Sequence, residues 1–125
     1  MILLDSSILI DLFRKKNKEK TLFYKLSRTE EDFCISSITN YEIGIGNRKS
    51  HTAYWENLTE ILTILPFDKS CSEKAIAIYL NLLKNNKMID LADILIGATA
   101  LTHDIPLATL NTKHFERIKG LKIIN

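Results

Sequence analysis

Three acids and one amide sit where short apolar runs give way to helical periods. Asp5 follows Ile2-Leu3-Leu4 directly, and Glu42 lies in the first turn of a helical period that comes after Phe33-Cys34-Ile35-Ser36. Asp93 lies in the first turn of a period starting near Leu91, and Asn111 comes two residues after Leu107-Ala108-Thr109. Carboxylates brought together repel one another, and burying them uncompensated is costly. A divalent cation relieves that cost. Oxygen-only ligation points to Mg²⁺ or Mn²⁺, ions that keep several waters and favour phosphate substrates. Such an ion activates a water and stabilises the leaving oxygen of a phosphodiester.

Whether these residues meet depends on the elements that carry them. Ile2-Leu3-Leu4, Phe33 to Ser36, Thr63-Ile64-Leu65, Leu107 to Thr109 and Leu121 to Ile124 read as buried strands. Helical spacing places Ile8, Leu9, Leu12 and Phe13 on a helix starting near Ser6, before the polar stretch Arg14 to Lys20. A second helix covers about Thr21 to Ser27, with Leu22, Phe23 and Leu26 inward. Two more cover Tyr41 to Asn47 and His51 to Leu62, the latter with Tyr54, Trp55, Leu58, Ile61 and Leu62 on one stripe. A long helix from about Lys69 to Asn85 turns Ala75, Ile76, Tyr79, Leu82 and Leu83 inward. The last, from about Leu91 to His103, does so with Leu91, Ile94, Leu95, Ala98 and Leu101. Strands alternating with helices predict an α/β fold, a three-layer α/β/α domain whose five-stranded parallel sheet is flanked by helices. No repeat, linker or low-complexity tract interrupts the 125 residues, which suit one domain over 1–125.

In an open parallel sheet, ligands bind beyond the carboxyl ends of the strands. Asp5, Glu42, Asp93 and Asn111 all fall at that edge. Each acid also has a local explanation. Thr39-Asn40-Tyr41-Glu42 matches a capping box, Asp90-Leu91-Ala92-Asp93 a cap followed by an acid favoured by the helix dipole, and Asp5 a cap for the helix beginning at Ser6. Capping accounts for the acids singly, and a shared metal site accounts for their common edge.

Composition narrows the class. Hydrophobic residues at 46% and charged residues at 26% are those of a globular chain, not a disordered one. A net charge of +2, from 17 basic and 15 acidic residues, is too mild for bulk electrostatic binding of nucleic acid, so an anionic partner needs a local patch. Cys34 and Cys71 form no CxxC pair, which excludes a thiolate zinc site and a disulfide framework and predicts two buried free thiols. No apolar run approaches the roughly 20 residues that span a bilayer, and Met1 to Asp5 lacks the basic start of a signal peptide. These features predict a soluble cytoplasmic protein with no membrane partner.

Leu3-Leu4-Asp5-Ser6-Ser7-Ile8-Leu9-Ile10-Asp11 resembles the opening of PIN-domain ribonucleases, whose first strand ends in a metal-binding aspartate followed by Ser or Thr. Ser37-Ile38-Thr39-Asn40-Tyr41-Glu42-Ile43-Gly44-Ile45-Gly46 is similar to their second signature, with Glu42 at the glutamate position. Asp93 to Leu101 resembles the third, and Leu107 to Phe115 with Gly120-Leu121 the closing segment. The nearest subgroup is the VapC-type toxins of toxin–antitoxin pairs. The resemblance implies RNA hydrolysis with Mg²⁺ or Mn²⁺ held by Asp5, Glu42 and Asp93, leaving 5′-phosphate and 3′-hydroxyl ends. It also implies a homodimer and a small cognate VapB-like antitoxin. Asn111 stands where many relatives carry a fourth acid, which implies one firmly held ion and a second that arrives with the substrate. Asn111 is then expected to orient metal-bound water, with Thr109 and Ser7 as supporting hydroxyls.

Two basic stretches, Arg14 to Lys20 and Lys113 to Lys119, flank the acidic centre. Of these, Lys113 and Arg117 are candidates for RNA phosphates. Ser6 and Ser7 lack the neighbouring base of a nucleophilic serine. His51, His103 and His114 lack HExxH spacing, and none is assigned to a metal. Gly44-Ile45-Gly46 lacks the third glycine of a dinucleotide loop, and its place in a helical period predicts close helix packing. Two other functions compete with the nuclease. A non-catalytic PIN-like module binding RNA or a protein partner is favoured by Asn111. A phosphotransfer receiver needs an aspartate after the third strand and a lysine after the fifth, and Asp68 is poorly placed for the first.

Overall fold

Successive residues of the inner strands are apolar on both sides, as a sheet covered on both faces demands. The computed structural model describes residues 1–46 and 52–125. Its strands are β1 (Ile2–Leu4), β2 (Phe33–Ser36), β3 (Thr63–Leu65), β4 (Leu107–Ala108) and β5 (Ile123–Ile124), all parallel, in the order β3-β2-β1-β4-β5. The helices are α1 (Ser6–Arg14), α2 (Leu22–Ser27), α3 (Ser37–Gly46), α4 (Thr52–Ile61), α5 (Lys69–Lys84), α6 (Leu91–Thr102) and α7 (Thr112–Phe115). Leu3, Cys34 and Leu107 point to one face and pack with Ala75, Ile78 and Leu82 of α5 and with α6. Ile2, Leu4, Phe33, Ile35 and Ala108 point to the other, against α1 and against Trp55 and Leu58 of α4. Each face therefore has its own core, and the expected three-layer α/β/α arrangement with a five-stranded parallel sheet is what the chain forms.

The differences from expectation lie in helix faces and ends. Along α5 the buried residues are Cys71, Ala75, Ile78 and Leu82, whereas Ile76, Tyr79, Leu80 and Leu83 are exposed. The helix carries two apolar stripes, and periodicity alone selected a mixture of them. Leu91, Tyr54 and Ile61 are likewise exposed rather than inward. Trp55 joins the core, while Phe13 meets Tyr54 and Trp55 edge-on at 5.3 and 5.9 Å. Tyr24 stays at the surface.

Helix α3 starts at Ser37, directly after β2, because Ser36 Oγ accepts the Ile38 N–H at 2.9 Å. Thr39 and Glu42 are thereby interior to the helix, and the capping box does not form. A Cβ on Gly44 or Gly46 would meet nothing within 4 Å, so close helix packing is not their role among the described residues. Asn47 and His51, the expected end and start of neighbouring helices, lie outside the described residues. The polar stretch after α1 contains a short 3-10 turn, Lys18–Lys20, and Lys18 Nζ folds back to donate to the Leu12 and Phe13 carbonyls that α1 leaves unpaired. Cys34 and Cys71 are free and buried, and burial pushes the Cys34 thiol up to about 12. Among the described residues, no helix is long and apolar enough to cross a membrane.

The topology locates the site. The chain passes from β1 through β2 to β3 on one side, then returns through α5 and α6 to β4 on the other side of β1. The strand order therefore reverses between β1 and β4, and the crevice beyond their carboxyl ends is where such sheets bind ligands.

Candidate metal centre and active site

Asp5 leaves the end of β1 and is 5% exposed. Its backbone N–H donates to the Ala108 carbonyl at 3.0 Å, continuing the pairing of β1 with β4. The residue occupies the N-cap position of α1, yet its side chain makes no cap hydrogen bond. Oδ2 instead accepts the Ser7 and Thr109 hydroxyls, each at 2.8 Å. Those hydroxyls are themselves held: the Leu110 N–H donates to Ser7 Oγ at 3.0 Å and the Asn111 N–H to Thr109 Oγ1 at 2.9 Å. A buried carboxylate fixed by two hydroxyls costs less to desolvate, and its other oxygen stays available as an acceptor.

Asp93 arrives from the first turn of α6. Asp90 occupies that helix's N-cap position but likewise makes no side-chain cap bond. Asp5 and Asp90 thus make no cap bond, while Asp93 does occupy the first turn of its helix, where the dipole favours an acid. Burial raises the Asp93 carboxyl above its ordinary 3.8, the charges of Asp5 and Asp90 push the same way, and a hydrogen bond to His114 offsets part of the rise.

His114 is the residue that sequence reasoning missed. One turn of α7 brings its Nδ1 to 3.1 Å from Asp93 Oδ2 and 2.9 Å from Asn111 Nδ2. One ring nitrogen either carries a proton and donates to the carboxylate or accepts from the amide; it cannot do both. Asn111 Nδ2 also lies 3.5 Å from Asp93 Oδ2. One ligand atom each from Asp90, Asp93 and His114 lie within 4.8 Å of one another. Two carboxylate oxygens and an imidazole nitrogen fit a divalent cation, with the imidazole suiting Mn²⁺ better than Mg²⁺. The signal available in the sequence was the one-turn spacing from Asn111 to His114, which HExxH logic does not test.

Glu42, in the second turn of α3, accepts the Ser6 hydroxyl at 2.6 Å. It is tied to the residue next to Asp5 and stands outside the Asp90–Asp93–His114 trio. The fold thus brings Asp5, Ser7, Thr109, Asn111 and Asp93 into one hydrogen-bonded and electrostatically linked group, with Glu42 joined to its edge through Ser6. Lys113 and Arg117 are exposed on the segment that follows Asn111, and Arg117 Nη1 donates to the Met88 carbonyl at 3.1 Å.

The PIN domain family matches residues 2–121. Ribonuclease VapC1 of Methanocaldococcus jannaschii is 36% identical over 98% of this chain and 85% of its own length. The tRNA(fMet)-specific endonuclease VapC of Shigella flexneri is 27% identical over 96% of this chain and 93% of its own. The crystal structure of DNA-bound VapBC from Salmonella typhimurium superposes with a TM-score of 0.87 at 26% identity, covering 98% of this chain and 96% of that one. Asp5 after β1, Asp93 opening α6 and Asn111 after β4 are the positions that the sequence motifs single out, and the chain belongs to the PIN domain family, in its VapC group.

Proposed function

We propose that this chain is the toxin of a toxin–antitoxin pair, an endoribonuclease that hydrolyses RNA phosphodiesters with Mg²⁺ or Mn²⁺ in the cytoplasm. The observation that carries this reading is the pairing of a buried, hydroxyl-held Asp5 with an Asp93 crowded by Asp90, His114 and Asn111 at one crevice. Relatives named as ribonucleases over almost the whole chain support it. Asp5, Asp93 and Glu42 hold the ion, with Asp90 and His114 completing the donors on the α7 side. When bound, the ion supplies an activated water and charge stabilisation for the leaving oxygen.

The chain's own residues do the positioning. Ser7 and Thr109 hold and aim the Asp5 carboxylate. Asn111 and His114 hold Asp93 from the other side, and the Asn111 amide orients water. Neither Ser6 nor Ser7 is a nucleophile, since each hydroxyl is committed to a carboxylate. Lys113 and Arg117 receive phosphates beside the crevice. An antitoxin partner is supported by solved relatives crystallised as VapBC complexes. A homodimer is supported by the exposed stripe Ile76, Tyr79, Leu80 and Leu83 on α5.

The test is calorimetric titration of Mn²⁺ into the protein and into Asp93→Asn, followed by mapping of the RNA ends each produces. Binding and 5′-phosphate ends in the parent, with both lost in the folded variant, are expected. No binding and no cleavage by either would make the chain a non-catalytic module.

A further inference from the structure

We propose that the groove between α5 and the segment following α7 is the track of a single RNA strand leading away from the acidic crevice. The proposal rests on the nuclease reading and adds to it a path for the substrate. One wall is formed by Lys74, Ala77 and Asn81 of α5 and the other by Arg117, Ile118 and Lys119, enclosing about 270 Å³. Two neighbouring depressions share its lining: one reaches Asn86 and Lys87 by way of Arg117, and the other reaches Ser70 and Thr102 by way of Lys74, Ala77 and Leu101. The length of the groove follows that of α5, about 24 Å for 16 residues.

Helix α5 has three faces. Cys71, Ala75, Ile78 and Leu82 enter the core, Ile76, Tyr79, Leu80 and Leu83 form the apolar stripe, and Lys74, Ala77 and Asn81 face the groove. The groove is thus separate from the stripe proposed to pair two copies.

Charge selects the occupant. Lys74, Lys87, Arg117 and Lys119 are all exposed, and among the described residues none is paired with a carboxylate. Two acids also line the groove: Glu73 lies 3.7 Å from Lys69, and Glu116 is the second. Between the cations the lining is apolar, made by Ala77 and Ile118 of the walls with Ile78 and Leu101. Cationic side chains on both walls suit the phosphates of a single strand, and the apolar lining between them gives its bases a surface without sequence preference.

Continuity supplies the direction. Arg117 binds the Met88 carbonyl, two residues before Asp90, and its N–H donates to the carbonyl of His114 at 3.2 Å. One end of the groove therefore opens beside Asp90, Asp93 and His114.

The experiment is a fluorescence-anisotropy titration of a labelled oligouridylate of about 12 nucleotides into the full chain with chelator present, over a range of salt. Backbone binding needs no sequence match. Lys74→Glu/Lys119→Glu should bind roughly tenfold or more weakly, with a log–log salt slope shallower by about 1.4, the equivalent of two phosphate contacts to a single strand. Lys25→Glu/Arg28→Glu, at the C-terminal end of α2 across the sheet, should stay within about twofold. Circular dichroism checks the fold, and Lys74→Gln/Lys119→Gln repeats the test without charge reversal. Unchanged affinity and slope in the groove variants, equal loss in the α2 control, or a parent that does not bind the strand at low salt would overturn the proposal. So would groove variants that keep the strand but lose a polyglutamate peptide, which would give the groove to a protein partner. Mn²⁺ titration separates the two readings: groove-dependent strand binding in a parent that takes up no Mn²⁺ would remove the nuclease reading and leave the groove.

Discussion

Asp93 carries a carboxylate that its surroundings make costly. Burial is the largest cause, and the charges of Asp5 and Asp90 add to it. A carboxyl whose folded pKa lies above its unfolded value contributes stability below the ordinary carboxylate range and loses it as pH rises through the folded value. At pH 7 the ionised Asp93 therefore opposes folding. Asp93→Asn should melt at a higher temperature than the parent at pH 7 without metal. That difference should close as the pH falls below about 3.8, where both side chains are neutral. Mn²⁺ should narrow it from the other direction by stabilising only the parent. Scanning fluorimetry across pH reads all three, and a variant melting lower than the parent at pH 7 would show that His114 fully compensates the charge.

Helix α6 decides how close His114 comes to Asp93. A Cβ on Gly97 would lie 2.5 Å from Ile118 Cδ1, so α6 passes the turn after α7 closer than any side chain allows without a shift of that methyl. Gly97→Ala need only displace one terminal methyl. The helix propensity it gains, about 1 kcal/mol, offsets that, and urea unfolding should find it within about 1 kcal/mol of the parent. Gly97→Val overpacks the same contact and should cost about 1–3 kcal/mol. It should also weaken Mn²⁺ binding by pushing the 112–118 segment outward. The strand-and-acid motifs were legible because each lies within a few residues of one chain segment. The role of Gly97 was not, since it depends on a neighbour 21 positions away, and the inner face of α5 was hidden by its second apolar stripe.

At the scale of the molecule, that second stripe is an unsatisfied surface. Ile76, Leu80 and Leu83 are each 57–58% exposed on one side of a helix whose inner side is already packed. Exposed apolar patches of this kind mark association sites. Leu80→Glu/Leu83→Glu should reduce the sedimenting species to the 14.3 kDa of one chain while Mn²⁺ affinity stays unchanged. A parent already sedimenting at that mass would remove the homodimer. The stripe and the groove lie on different faces of α5, so the proposed self-association and the proposed strand track would not compete.

Read alone, the sequence determined the layer order, the parallel sheet and the edge at which Asp5, Glu42, Asp93 and Asn111 would appear. Those follow from local rules: an apolar run makes a strand, the next period makes a helix, and the parallel crossover places every junction at a predictable edge. Only the tertiary structure decided which of these acids have partners and what the partners are. Asp5 looks outward to Thr109, 104 residues away, instead of capping α1, and Glu42 answers Ser6 across 36 residues instead of closing its own helix. His114 joins Asp90 and Asp93 only when α7 folds against the start of α6. Caps and cross-chain bonds compete for the same oxygen atoms, and packing at the β1–β4 reversal settled that competition in favour of the long-range partners.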